Sequence, residues 1–300
     1  MRTPIRLVTF GAVLLAVFGL MFLAGRALIP AETVADWKRE AAKSGSDHEE
    51  MASADHTAGH EMNGAGQPDV KGLSLEQDGY RLGPVSAPLT TDVDGRLSFR
   101  IIGPDGKPLE DYSTSHEKDL HLIVVRSDGA GFRHVHPQLE SGTWSIPWAW
   151  QRGGSYRVFA DFVPADSPNS AGVTVGRTVD VGGRVEPESK TITRRDYVGG
   201  FEVSVDGNLK AGHGSSLTFT VTRNDSPETG LQPYLGALGH LVVLREGDLA
   251  FLHAHPEESH SSGPEIEFET TAPTPGRYLL YLDFKVDHVV RSAKFVLEAK

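Results

Sequence analysis

The sequence predicts an all-β protein in which two tandem β-sandwich repeats follow an N-terminal transmembrane helix and a disordered linker. Three observations predict this arrangement. The 300-residue chain starts with an uncharged apolar run, the remainder breaks into short strand-like runs between turn residues, and the pattern of those runs occurs twice. We therefore divide the chain into a membrane helix (1–30), a linker (31–72) and two repeats (73–185 and 190–300).

The apolar run at the N-terminus predicts a signal anchor. Nineteen residues without a charge, Leu7–Gly25, lie between Arg6 and Arg26. At ~1.5 Å per residue such a helix matches the ~30 Å hydrocarbon core of a bilayer. With Arg2 and Arg6 on the cytoplasmic side, the chain would cross the cell membrane once and place its C-terminal part outside the cytoplasm. The alternative is a signal peptide cleaved near the small residues of 25–27, which would give a secreted protein.

The linker combines disorder with possible metal ligands. From residue 44 to 72 it consists mostly of small, acidic and histidine residues without a hydrophobic period, which predicts a disordered segment. Imidazole and thioether groups together suit copper, and Cu(I) in particular. The tract is therefore interpreted either as a metal-capture segment or as a solvated spacer. Its candidate ligands are His48, Met51, His56, His60 and Met62.

Short strands fill the first repeat. Seven runs alternate with turns rich in Gly, Pro, Asp and Asn, within a stretch in which no long helix is predicted. This number of strands in ~110 residues is typical of an immunoglobulin-like sandwich. The predicted strands are Gly79–Gly83, Arg96–Ile102, Leu120–Arg126, Phe132–His136, Thr143–Trp150, Ser155–Val163 and Val175–Val181.

The same pattern then recurs, which predicts an internal repeat. The first histidine of each copy precedes an H-x-H pair by 13 residues, and a tyrosine precedes an aspartate by 5 residues in both. The Gly-x-Tyr element of each copy predicts a tyrosine corner, in which the phenol hydroxyl bonds to the backbone of a sandwich. The matched segments are Leu97–Phe99 with Leu217–Phe219, His121–Val125 with His240–Leu244, Phe132–Pro137 with Phe251–Pro256, Gly154–Tyr156 with Gly276–Tyr278, and Asp161–Phe162 with Asp283–Phe284.

The recurring histidines predict a metal site in each copy. Residues two apart on a strand share a face, so the histidines of each H-x-H pair project together. A hairpin through the turn at 127–131 would bring the preceding histidine close to the pair in the first copy. The matched aspartate would be a fourth ligand or would orient an imidazole. The predicted ligands are His121, His134, His136 and Asp161 in the first copy, with His116 as an addition there, and His240, His253, His255 and Asp283 in the second.

The residue types at these sites limit the metal. The chain has no cysteine, which excludes thiolate zinc sites, iron–sulfur clusters and blue-copper centres. Three imidazoles with an optional oxygen fit Cu(II) or Zn(II), and the linker methionines favour copper, with zinc as the alternative. The alternative is that the three histidines of a copy do not converge, with His136 and His255 pointing to solvent at a strand end. One carboxylate per copy meets only part of the hydrogen-bonding demand of three buried imidazoles, which favours a bound cation.

These residues also carry a resemblance to a known family. The run HEKDLHLIVVRSDGAGFRHVHP at 116–137, then GTWSIP and GGSYRVFADFVP, resembles exported bacterial heavy-metal- or copper-associated proteins. Their domains are similar to the YtkA-like and CopC-like immunoglobulin-type sandwiches. Residues 231–257, in the second copy, look like the same family. The resemblance covers about 72–300 and implies copper binding. CopC-like proteins typically use an N-terminal histidine, whereas this N-terminus is hydrophobic, so their ligand set cannot be transferred.

The function expected from the sequence is that of a membrane-tethered, extracytoplasmic copper-binding protein for sequestration, resistance or delivery, with a possible copper-handling protein partner. A net charge of −11 offers no basic face for nucleic acid. No nucleophile elbow or phosphate-cradling loop occurs, so we do not expect an enzyme. The alternatives are an interaction scaffold with structural histidines and, less favoured, a metalloenzyme.

Overall fold

The structure is a computed structural model that describes residues 70–167, 171–188, 191–252, 254–257 and 263–300. The elements in this part of the chain are all β-strands, as the sequence predicts. No helix among these residues is long and apolar enough to cross a membrane. The predicted membrane helix and nearly all of the linker, including its histidines and methionines, lie outside the described residues.

Eleven strands form repeat 1. Each of the seven predicted runs overlaps at least one strand, and β1, β5 and β8 are additional short strands outside those runs. The strands are β1 (Glu76–Gln77), β2 (Tyr80–Leu82), β3 (Gly95–Phe99), β4 (Ile101–Ile102), β5 (Tyr112–Ser113), β6 (Leu120–Arg126), β7 (Arg133–Val135), β8 (Gln138–Glu140), β9 (Thr143–Trp148), β10 (Gly154–Pro164) and β11 (Val173–Val181).

Ten strands form repeat 2. They are β12 (Arg195–Val198), β13 (Phe201–Asp206), β14 (Gly214–Arg223), β15 (Ser226–Pro227), β16 (Gly239–Arg245), β17 (Phe251–Leu252), β18 (Ala254–Pro256), β19 (Glu265–Thr271), β20 (Gly276–Val286) and β21 (Val289–Ala299).

Each repeat is a sandwich of antiparallel sheets around its own core. We call β11-β10-β6-β7 the inner sheet of repeat 1, which faces β3-β9-β8, and β17-β16-β20-β21 the inner sheet of repeat 2, which faces β12-β13-β14-β19-β18. Leu97 and Phe99 are buried in the first core, and their matched residues Leu217 and Phe219 are buried in the second. The matched segments therefore play the same structural role.

The predicted tyrosine corners are present in both repeats. Tyr156 Oη donates a hydrogen bond to the carbonyl oxygen of Arg152 at 2.8 Å, and Tyr278 Oη donates to that of Thr274, also at 2.8 Å. In both cases the acceptor lies four residues upstream. These tyrosines thus tie the start of β10 and β20 to the preceding turn, which is a structural role.

A third apolar core joins the two repeats. The inner sheets pack against each other, and Phe132 stacks on Tyr281 with ring centroids 3.9 Å apart and planes at 4°. Tyr281 Oη also donates a hydrogen bond of 2.6 Å to the carbonyl oxygen of Gly129. The buried members of this interface core are Ile123, Val125, Phe159, Val242, Leu244, Leu249, Phe251, Leu279, Tyr281 and Val296.

Both faces of the inner sheets are consequently covered. All seven residues of β6 are buried. Leu122 and Val124 point into the core of repeat 1, whereas Ile123 and Val125 point into the interface core. Because side chains alternate along a strand, His121 shares the interface face with Ile123 and Val125.

Candidate metal centre between the repeats

Histidines from both repeats meet at one end of the interface core. His121 at the start of β6 and His240 at the start of β16 have parallel rings, with centroids 5.5 Å apart and planes at 3°. His134 on β7 is the register partner of Ile123, so it also faces repeat 2. The predicted hairpin of β6 with β7 is thus present.

Three ring nitrogens converge within this cluster. His121 Nδ1 lies 3.0 Å from His134 Nε2 and 3.2 Å from His136 Nε2. The ligand atoms of His121, His134 and His240 all lie within 4.8 Å of one another. Nitrogens that share one metal at about 2.0–2.1 Å are separated by about 2.9–3.4 Å, from right-angled to tetrahedral geometry. The distances of 3.0 and 3.2 Å from His121 Nδ1 to its two neighbouring ring nitrogens are therefore those of neighbouring ligands on one ion.

Hydrogen bonds at the far side of two rings decide which nitrogens are free. His121 Nε2 lies 3.0 Å from the carbonyl oxygen of Ser115, which can only accept, so this nitrogen carries the proton. His134 Nδ1 lies 2.8 Å from Asp283 Oδ2 and donates to it when the carboxyl group is ionised. The lone pairs of His121 Nδ1 and His134 Nε2 then face each other. Two facing lone pairs require a cation or a proton between them.

A metal-free cluster can meet this requirement with one proton. Burial raises the pKa of Asp283 to about 7, although the hydrogen bond from Ser292 lowers it in part. Burial also lowers the pKa of His134 to about 3. A protonated Asp283 would donate to His134 Nδ1, and His134 Nε2 would then donate to His121. A metal ion would displace this proton, as ligation by histidine generally does.

The cluster provides neutral imidazoles at pH 7. Burial, followed by the charges of neighbouring imidazoles, lowers the pKa of His136 to about 3. Burial likewise holds the pKa of His240 well below its usual value, and lowers that of His121 against the opposing hydrogen bond to Ser115. Neutral imidazole is the form that binds a metal, so the environment prepares the ligands for that role.

The edge of the cluster is open to solvent. His116 is exposed in a left-handed conformation, and its ring centroid lies 5.4 Å from that of His240 and 6.1 Å from that of His121. A surface cleft of about 470 Å³ lies beside His136 and is also lined by Lys118 and Glu140. An ion could therefore enter from the side on which His116 and His136 lie.

The structure brings histidines of the two repeats together, an arrangement that the expectation of one site in each repeat did not include. The register places Asp161 opposite His121, but its carboxylate accepts a hydrogen bond of 2.7 Å from Thr174 Oγ1, and no bond joins it to a ring of the cluster. Its counterpart Asp283 instead binds a histidine of the other repeat. The physical reason is that the shared face of β6 and β7 points across the interface, so His121 and His134 meet residues of the second repeat.

The structure describes only one member of the second H-x-H pair. His255 is exposed on β18, where its register partner is Glu269 of β19. His253 lies outside the described residues. Among the predicted ligands, those that the structure brings together are His116, His121, His134, His136, His240 and the orienting Asp283. The role of Ser115, whose carbonyl oxygen sets the tautomer of His121, has no signal in the sequence.

Comparisons with solved structures give distant similarities only. The Escherichia coli adhesin FdeC is 15% identical with a TM-score of 0.24, over 76% of this chain and 66% of that one. A putative membrane anchored protein from Corynebacterium diphtheriae is 12% identical with a TM-score of 0.23, over 74% and 59%. A chimeric titin Z1Z2 is 12% identical with a TM-score of 0.20, over 74% and 96%. The chain thus spans just under two thirds of the FdeC structure, and similarities this low carry no functional information.

No curated protein matches the chain. A family model does match it twice, at residues 75–180 and 196–300, and is described as a domain of unknown function, DUF8832. The two matches confirm the internal repeat. The description names no ligand, so the resemblance to copper-associated proteins stays a prediction. Because the matches cover more than half of the sequence, the chain belongs to the DUF8832 family and carries two copies of its domain.

Proposed function

We propose that this protein is a membrane-tethered, extracytoplasmic metal-binding protein that holds a copper ion between its two repeats, for sequestration, resistance or delivery. The observation that carries the proposal is the pair of facing lone pairs on His121 and His134, 3.0 Å apart and each fixed by a hydrogen bond on the far side of its ring. His136 and His240 complete a set of four imidazoles.

The ligand set favours a divalent ion of borderline softness. Imidazole nitrogens suit Cu(II) and Zn(II), and sites of this kind bind Cu(II) more tightly than Zn(II). Calcium and magnesium prefer oxygen ligands, so a set of imidazoles does not favour them. Copper is therefore the proposed ion and zinc the alternative.

The His/Met tract of the linker is proposed to capture copper and pass it to the cluster. Its composition supports this role, as does the connection that follows it, because the backbone of Lys71 pairs with that of Phe251 beside the interface core. Deleting residues 44–70 should slow the loading of the full chain without removing the site. An unchanged loading rate would exclude the capture role.

Metal binding can be tested on residues 65–300, which form one compact unit without the tract. We expect calorimetric titration with Cu(II) to show one ion per chain. His121→Ala and His134→Ala should each abolish tight binding, because each removes one of the facing nitrogens. His213→Ala and His288→Ala are matched controls, since both histidines are exposed outside the cluster. Binding no tighter than millimolar, or equal losses in the controls, would contradict the proposal.

The competing function is an interaction scaffold in which the histidines are structural. A specific observation favours it: one shared proton satisfies the chain from Asp283 through His134 and His121 to Ser115. Under this alternative the histidine variants would lower the melting temperature while nothing depended on metal. We propose no catalytic role for the cluster.

A further inference from the structure

The candidate ligands belong to two separately built units. Repeat 1 supplies His121, His134 and His136, and repeat 2 supplies His240. Repeat 2 also supplies Asp283, whose bond to His134 joins residues 149 positions apart in the sequence. The ring centroid of His240 lies 4.8 Å from that of His134. Within the described residues, neither repeat alone holds both the nitrogens and the carboxylate that fixes the tautomer of His134.

The residues that join the two repeats are separate from the residues that form the core of each repeat. Each repeat has its own hydrophobic core, and the interface core is a third cluster. Adjacent residues of β20 show this separation, since Leu279 faces the interface core and Leu280 faces the core of repeat 2, both fully buried. Each repeat would therefore keep its own core if the interface core were lost.

The histidine cluster at the end of the interface favours docking only when its buried polar groups are paired. Docking buries the imidazole of His134 and the carboxylate of Asp283, whose side chains are 0% and 3% exposed. Burial of polar groups costs free energy unless they are paired. In the docked state the facing nitrogens of His121 and His134 would bind one ion together with His240, and separated repeats would lose that shared coordination.

We propose that the metal ion is a clamp between the two repeats, so that metal binding strengthens their docking and docking strengthens metal binding. This inference rests on the proposed metal site and extends it to regulation: the metal would switch the chain between a locked and a looser arrangement. The coupling is reciprocal, because an ion that binds the docked state better must stabilise that state by the same factor.

Cutting the chain once between the repeats makes this coupling measurable. A protease site is inserted after Glu188, and the purified, folded residues 65–300 are cleaved so that both halves remain together. Docking then depends on concentration, and serial dilution gives the dissociation constant of the halves with a chelator and with saturating Zn(II), which avoids redox chemistry. We expect Zn(II) to tighten the association by roughly 5–150-fold, the usual range of coupling between two sites.

Three variants separate the clamp from ordinary interface contacts. Leu279→Ala should weaken the association of the halves by the same factor with and without Zn(II). The ratio of the two dissociation constants is then unchanged, and halves that bind too tightly to be measured by dilution become measurable. Leu280→Ala, the matched change on the opposite face, should leave the association unchanged. His240→Ala removes a ligand of repeat 2 and should reduce the effect of Zn(II) several-fold or more.

The outcomes distinguish the clamp from the metal site itself. Zn(II) that binds tightly but leaves the association of the halves unchanged would overturn the clamp and keep the proposed function, with the ion held by repeat 1 alone. If Zn(II) tightened the association of the halves by the same factor in His240→Ala as in wild type, the clamp would be overturned as well. No Zn(II) or Cu(II) binding to the uncut chain would remove both proposals.

Discussion

The hydrogen bond between His134 and Asp283 decides the chemistry of the cluster. An ionised Asp283 accepts the Nδ1 proton of His134 and leaves Nε2 free toward His121. Carboxylates in this position generally fix the orientation of a ligating imidazole and raise its basicity. In the proposed metal site Asp283 would thus be a positioning residue, and Asp161, its counterpart in repeat 1, provides a comparison.

Asp283→Asn should lower metal affinity by about 10–100-fold, the usual effect of losing such a partner. The amide is neutral and can donate to Nδ1, which would place the proton of His134 on the ligating nitrogen. Competition against a chelator of known affinity measures the change. Asp161→Asn, opposite His121 but bonded to Thr174, should leave the affinity unchanged. Equal effects of the two variants would contradict the positioning role.

At the level of strands, alternation explains why His121 and His240 meet across the interface. The apolar runs of β6 and β16 predict strands, and the sequence pattern predicts the hairpin of β6 with β7; the structure contains both strands and the hairpin. A continuous apolar run also indicates a strand covered on both faces. The spacing of the histidines alone does not reveal that the second cover is the other repeat. The sites were therefore expected within each copy, whereas His121 and His240 meet across the interface.

The turn after β6 contains a second element that can be tested, a buried ion pair. Arg126 is 1% exposed, and its guanidinium donates two hydrogen bonds to Asp128, at 2.8 and 2.6 Å. Burial alone would raise the pKa of Asp128, but hydrogen bonds from Arg126 and from two backbone N–H groups outweigh it and hold that pKa below its usual range. The counterpart in repeat 2, Arg245 with Asp248, is more exposed.

Asp128→Asn should destabilise the protein at pH 7 by about 3 kcal/mol, because it leaves a buried guanidinium without its charge partner. Asp248→Asn should cost at most about 1 kcal/mol, as is usual for exposed pairs. Since the folded pKa of Asp128 is depressed, its stabilisation is complete above the unfolded pKa of ~3.9 and is lost as the pH falls below it. The difference in urea midpoint between wild type and Asp128→Asn should therefore shrink below about pH 4, and a constant difference would contradict this account.

For the whole molecule, composition and periodicity predict much of the architecture but not the assembly of the repeats. Each sandwich follows from local alternation and turn residues. Docking of the inner sheets depends on shape, as in the stack of Phe132 on Tyr281 and the close approach of Gly129 to Leu279. Nothing in the spacing of these residues along the chain encodes that match.

Gly129 is the position at which the packing of the whole molecule can be tested without touching a ligand. Its φ is +82°, and a Cβ there would lie 2.6 Å from Leu279 Cδ1 and 3.1 Å from Tyr281 Oη, both in repeat 2. Gly106 has a similar φ of +77° with open space around it. Alanine at either position carries the same left-handed backbone strain, but only Gly129→Ala pushes against the other repeat.

We expect Gly129→Ala to lower the melting temperature more than Gly106→Ala and to weaken Zn(II) binding, because the ligands of the two repeats no longer approach as closely. Gly106→Ala should keep the Zn(II) affinity of wild type. Thermal unfolding and chelator competition measure both effects in the same samples. If Gly129→Ala retained full affinity while its melting temperature fell, the ion would be held by repeat 1 alone. The interface would then serve stability and not the site.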